Sequence, residues 1–175
     1  MNAPQLNLPQ PFPLSARIGH GYDLHRLQTG GELLLGGVVV SKEMSPIAHS
    51  DGDVVLHALV DALLGAMGWG DIGELFPNND DRWKNARSCL FVTTVYSHVR
   101  EHHYRVQNAD FLILAEKPRL KPFKASIREN IAHLLAVDPG QINIKAGTNE
   151  GVDSIGRGEA IAAHATILLV RETSP

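Results

Sequence analysis

Between Val54 and Met67 the apolar side chains Val54, Leu56, Leu59, Val60, Leu63, Leu64 and Met67 recur every three to four positions. That period puts them on one stripe of a helix of about four turns, with Ser50, Asp51 or Asp53 as its cap and glycines past its far end. Elsewhere the pattern is different. "ARIGHGYDLH" reads as extended chain, and "ELLLGGVVV" as two β-rich runs hinged at Gly36-Gly37, the signature of a hairpin. A second helix is predicted over Ala86 to His103, a strand within Arg105 to Ala115, and a third helix over "LKPFKASIRENIAHLLAV" that breaks at "DPGQ". "INIKAGT" and "AIAAHATILLV" are again β-rich and flank the polar loop "NEGVDSIGRGE", whereas "DIGELFPNNDDRWKN" is rich in turn formers and reads as a long loop. Strands interleaved with helices predict an α/β (α+β) sandwich, a mixed β-sheet with helices on one face.

Length and composition narrow this to one compact domain, since 175 residues with 43% hydrophobic content can build one core and are few for two. The formal net charge of -3 and the absence of a basic cluster denser than "KPRLKPFK" argue against a nucleic-acid binder. No apolar run approaches the roughly 20 residues of a membrane span, so a cytoplasmic protein without a membrane partner is expected. Met1 to Ala16 carries four prolines and no charge, and reads as a flexible tail rather than a targeting signal. The domain is expected over 17–172, with 173–175 as a short tail. One cysteine, Cys89, excludes an intramolecular disulfide and a Cys-rich zinc site, so a metal would need ligands from the nine histidines and the carboxylates.

In "GHGYDLHRL" the extended chain points Asp23 and His25 to one face, close enough to share an ion, and His20 to the other. Two ligands are not a site, and a surface carboxylate bonded to a nearby histidine would look the same. On the first helix Asp53, His57 and Asp61 stand at i, i+4 and i+8, a polar line on an apolar element whose buried members must be paired or used. His57 is the candidate third ligand, or else a core histidine satisfied by one neighbour. His49 precedes this helix, whose free N–H groups favour an anion such as phosphate. "KAGTNE" presents Thr148 and Glu150 two apart, as a capped turn would. Arg157 and Glu159 in "GRGE" fit either a local ion pair or a phosphate site, and His98, His102 and His103 fit a solvated helix face.

The ordered segments "RIGHGYDLHRL", "GGV", "AHSDGDVVLHALVDALLGAMGWGDIGELFP", "KPRLKP", "IKAGTNE" and "GRGEAIAAHA" closely resemble the 2-C-methyl-D-erythritol 2,4-cyclodiphosphate synthases, over essentially Arg17 to Glu172. The resemblance implies a lyase of the non-mevalonate isoprenoid pathway, acting on 4-diphosphocytidyl-2-C-methyl-D-erythritol 2-phosphate and releasing CMP. It implies zinc held by Asp23, His25 and His57, with a second divalent ion, magnesium or manganese, at Glu150. His49 and Thr148 would stabilise the transition state by hydrogen bonds to phosphate. Ser50, Asp71, Ile72 and Gly73 would meet the phosphate and methylerythritol hydroxyls, with Asp23 and His25 beside them, and Phe76, Pro77, Asn78, Asn79 and Asp80 would close over them. Backbone groups of Ala115, Glu116, Lys117, Pro118, Arg119, Leu120 and Lys121 would wrap the cytosine, Gly147 would lie by the nucleotide phosphates, and Asn149 would also bind substrate.

Members of that family are homotrimers with active sites between subunits, so the resemblance also implies a homotrimer. Its hydrophobic central cavity, near Ser154, Arg157 and Glu159, would be a candidate site for an isoprenoid diphosphate. Four positions depart from the common pattern: Gly147 where a larger residue is frequent, Asn78 and Arg87 where Asp is frequent, and Ser154 in place of an aromatic. Two other readings share the same residues. A metal-dependent phosphohydrolase would need an activated water, and a non-catalytic trimeric metal-binding protein would need a closed, four-ligand site.

Overall fold

A computed structural model describes residues 8–172. The expected C-terminal tail, 173–175, and the first seven residues of the expected N-terminal tail lie outside the described residues. The remainder of that tail touches the body at fixed points: Trp69 Nε1 donates to the Pro9 carbonyl at 2.8 Å, and the Tyr104 hydroxyl to that of Leu14 at 2.6 Å.

Four strands come first: β1 (Ala16–Thr29), β2 (Leu33–Leu35), β3 (Val38–Ser41) and β4 (Met44–Pro46). They are followed by helices α1 (Val54–Met67), α2 (Ile72–Leu75) and α3 (Ser88–Glu101), strand β5 (Tyr104–Leu114), helix α4 (Lys124–Leu134), strand β6 (Ile142–Gly147), helix α5 (Asp153–Gly156) and strand β7 (Ala160–Arg171). The main sheet has the order β4-β1-β7-β5-β6, antiparallel except for the β5–β6 pair, so the sheet is mixed as the pattern predicts. Helix α1 lies on β1 and β7, α3 on α1 and β5, and α4 on β6.

The first helix forms where the three-to-four period predicts it, and of the three candidate caps Asp53 is the one used. Its Oδ1 accepts the N–H groups of Val55 and Leu56, both at 3.1 Å. The same buried carboxylate accepts the N–H groups of Gly36 at 2.9 Å and Gly37 at 2.6 Å, so the tip of the β2–β3 hairpin is tied to the start of α1. Both glycines have positive φ, 58° and 78°, as a two-residue hairpin turn demands.

Several elements differ from expectation: α5 forms inside the expected polar loop "NEGVDSIGRGE", α4 is shorter than the predicted 120–137, and two further differences have a local cause. "DIGELFPNNDDRWKN" is not a plain loop: Asp71 caps the short α2 and Asp80 caps a 3₁₀ turn at Asp81–Trp83, each carboxylate competing for backbone N–H groups within a polar stretch. The second helix is shorter than Ala86 to His103, because Arg87 is still extended and His103 takes a positive φ of 62°.

Odd-numbered residues of β1 face the helices and even-numbered ones face away, leaving Ile18, Tyr22 and Leu24 exposed on the uncovered side of the sheet. His20 shares that open face, its Nε2 3.3 Å from His164 Nδ1 on β7. On the helix side Gly19 and Gly21 are buried. A Cβ at Gly19 would fall on the Ala62 carbonyl oxygen, and one at Gly21 on that of Ala58, so α1 sits against bare β1 backbone. Gly65, on the same helix, has only the His20 carbonyl near an added Cβ, at 3.8 Å.

Gly21→Ala should therefore cost about 1–3 kcal/mol, the overpacking range, whereas Gly65→Ala should be neutral or stabilise by up to about 1 kcal/mol through helix propensity. Urea denaturation of the two variants beside the parent checks both signs, and equal effects would refute the close-contact reading.

Candidate metal centre and its cleft

The bare contact of α1 on β1 brings His57 onto the two residues that alternation aims at the helices. Asp23 Oδ2 lies 2.9 Å from His57 Nδ1 and 3.5 Å from His25 Nε2. One ligand atom from each of Asp23, His25 and His57 falls within 4.8 Å of the others, and among the described residues no other group of three or more such side chains converges in this way. The His98, His102 and His103 run does not gather: His98 pairs with Glu101 at 2.8 Å, and His102 packs edge-on against Trp69.

The donor set suits a divalent metal with three protein ligands, two imidazole nitrogens and one carboxylate oxygen. His25 Nδ1 sits 2.9 Å from the Leu24 carbonyl, which can only accept, so Nδ1 carries the proton and Nε2 the lone pair. That Nε2 is buried with no hydrogen-bond partner. An orphaned acceptor facing a carboxylate is what a missing cation leaves behind.

Burial disfavours charge on both Asp23 and His57, yet their mutual hydrogen bond and attraction outweigh it. Asp23 is held below the ordinary carboxylate value of 3.8 and His57 above the ordinary imidazole value of 6.5. Asp61 is no ligand, since its Oδ1 accepts the Ile72 N–H at 2.8 Å and so fixes the start of α2.

The three residues line a cleft of about 510 Å³ together with His49, Ser50, Ile72, Gly73, Phe76 and Asn78. His49 Nε2 is also buried and unpartnered. Phe76 stacks on Phe91 at 4.5 Å between ring centroids and meets Trp83 edge-on, anchoring the loop. Asp71 is exposed at the α2 cap, and Pro77, Asn79 and Asp80 do not line the cleft. Asp80 instead pairs with Arg82, at 2.5 Å.

The remaining expected site residues collect elsewhere. Ala115 N–H donates to the Gly147 carbonyl at 3.1 Å, and Glu116 Oε1 accepts from Asn149 N–H at 3.0 Å, so the 115–121 loop and the 147–150 turn form one unit. Within it the Thr148 hydroxyl donates to Glu150 Oε1 at 2.6 Å, and both residues are exposed. Through Ala163 and Ile113, Asp23 is in register with Ala146, one residue before Gly147. The two clusters therefore sit at the same height, but three strand spacings apart, roughly 14 Å. Arg157 is paired with Glu159 through two contacts of 3.0 Å, the local ion pair. Ser154 and Glu159 border a separate hollow with Leu24, Arg26 and Met44.

Residues 16–170 match the YgbB family. The chain belongs to the YgbB family. It is 50% identical over 153 residues to the 2-C-methyl-D-erythritol 2,4-cyclodiphosphate synthase of Treponema denticola, covering 87% of this chain and 95% of that protein. Among solved structures it is similar to an IspF–CDP complex from Plasmodium falciparum, with TM-score 0.81 and 34% identity over 91% of this chain and 98% of that one. It is also similar to the bifunctional IspDF of Campylobacter jejuni, with TM-score 0.87 and 42% identity, covering 95% of this chain but only 45% of that one.

Reading along the chain missed Ser88 and Phe91, which touch His57, and the packing role of Gly19 and Gly21. Only the glycines left a trace, in "GHG". In metal-free protein the Asp23 contribution to stability is present above pH 3.8 and lost as pH falls through its lowered folded value. The His57 contribution is present below pH 6.5 and lost as pH rises through its raised one. Chelated wild type minus chelated Asp23→Asn, followed by denaturant titration, should thus show its largest difference between these limits and a decline on either side.

Proposed function

We propose that this YgbB-family chain is a 2-C-methyl-D-erythritol 2,4-cyclodiphosphate synthase. It converts 4-diphosphocytidyl-2-C-methyl-D-erythritol 2-phosphate to the cyclic diphosphate: a 2-phosphate oxygen bonds to the β-phosphorus, the α–β anhydride bond breaks, and CMP leaves. The observation that carries this reading is the convergence, among the described residues, of three metal-ligand side chains on a cleft whose other polar lining includes His49 and Ser50, groups suited to phosphate. A zinc ion there would act as a Lewis acid and template for the phosphoryl group. Asp23, His25 and His57 would hold it, and the nucleophile is the substrate's own phosphate, so no activated water and no protein nucleophile is needed.

His49 offers its unpartnered Nε2 from the cleft wall as a hydrogen-bonding group toward phosphate. Thr148 and Glu150, the latter with a magnesium or manganese ion, would meet the nucleotide diphosphate, and the 115–121 loop its cytosine. The relative solved with CDP supports a cytidine nucleotide as ligand. The cleft and the cytosine loop stand apart in one chain, so a neighbouring copy supplies the second half in a homotrimer. The open sheet face with Ile18, 74% exposed, and with Tyr22 and Leu24 supports such an assembly. An isoprenoid diphosphate in the central cavity would have to displace Glu159 from Arg157.

The chain incubated with the cytidine diphospho substrate and zinc plus magnesium should release CMP and one cyclic diphosphate, read by phosphorus NMR. Chelation should stop it, and His57→Ala should lower kcat/KM by more than about 100-fold. Linear phosphate products would instead identify a phosphohydrolase, and full activity of metal-free protein would remove the metal from the mechanism.

A further inference from the structure

The imidazole of His57 is held on both sides, and only one of its partners belongs to the ligand set. Nδ1 faces Asp23, while Nε2 lies 2.8 Å from Ser88 Oγ and 3.2 Å from Ser50 Oγ. Ser88 is fully buried as the first residue of α3. Its hydroxyl makes a short hydrogen bond to Asp51 Oδ1, and its backbone N–H reaches Asp51 Oδ2 at 3.0 Å. Arg87 Nε stands 3.6 Å from the same carboxylate.

An ionised carboxylate accepts and cannot donate, so the Ser88 proton is committed to Asp51 and only lone pairs are left for His57. Nε2 must then carry a hydrogen. The neutral ring presents its lone pair at Nδ1, toward Asp23 and away from the serines. We infer that Asp51 and Ser88 are positioning residues that set the tautomer and the ring orientation of His57, making Nδ1 the nitrogen offered to the metal. The inference rests on the metal being held by Asp23, His25 and His57, as proposed above. Outer partners of this kind commonly change metal affinity 10- to 100-fold when removed, because they fix which nitrogen is free and how basic it is.

A purely structural account exists, in which Asp51 merely caps the first N–H of α3, and the variants separate the two. Ser88→Ala keeps that backbone cap and removes only the hydroxyl. It should weaken zinc binding, measured by competition with a chromophoric chelator on the full chain, by about 10- to 100-fold, while the urea midpoint of the metal-free protein stays near that of the parent. Asp51→Asn should weaken it at least as much, because an amide N–H turned toward Ser88 would reverse the chain and drive the histidine proton to Nδ1. On the zinc-loaded parent, nitrogen-15 NMR of the histidine rings should show His57 with a protonated Nε2 and a coordinated Nδ1, a readout that needs no variant to fold. Coordination through Nε2, or zinc affinity of Ser88→Ala within twofold of the parent, would overturn the inference. Product analysis of the parent keeps the two ideas apart, since cyclic diphosphate formation tests the function whether or not Ser88 matters.

Discussion

The contact that the rest of the structure depends on is backbone against backbone: α1 lies on β1 where Gly19 and Gly21 have no side chains to hold it off. Ala58, Ala62 and Ala66 present small side chains on the matching face, and an added Cβ at either glycine would meet helix carbonyls first. Any larger pair of residues would lift the helix from the strand. Metal sites tolerate errors of a few tenths of an ångström in ligand distance, so the separation that lets His57 reach Asp23 at 2.9 Å is a chemical requirement as well as a packing one. Core and candidate centre are thus specified by the same few small residues.

Around that contact, three aspartates solve the problem of building polar chemistry next to a dry helix. Asp53 gathers the hairpin tip and the start of α1, Asp51 the start of α3, and Asp61 the start of α2. Together they accept backbone N–H groups from the hairpin tip and from three helix starts, and so satisfy donors that burial would otherwise strand. Through these bonds the cleft walls are referenced to one helix, and the walls hold His49, Ser50 and the Phe76 loop beside the ligands.

The sheet then separates what it organises. Asp23 and the 147–150 turn share a register but are divided by β7 and β5, and strand spacing is fixed by hydrogen bonding at about 4.8 Å. The metal half and the nucleotide half of the proposed site are therefore rigid, separately built units, and a second copy is the simplest way to bring them onto one substrate.

Much of this was legible along the chain. The three-to-four period over Val54 to Met67 and the turn at Gly36-Gly37 appear where local pattern predicted them, because helix stripes and tight turns depend on neighbours within a few positions. Alternation along β1 likewise put Asp23 and His25 on one side and His20 on the other. Two short helical turns in the polar loop escaped, since aspartates that favour loops also cap helices, and β4 is too short at three residues to show a period. What periodicity alone determined was therefore the position of α1, the facing of β1 and the candidate ligands on them. Only the tertiary structure decided that His57 meets Asp23 and that Ser88 and Asp51 stand behind it, while Thr148 and Glu150 lie three strands away. Those relations join residues 31 to 37 positions apart, or more, and they are set by how closely α1 can approach β1 and by the order of strands in the sheet.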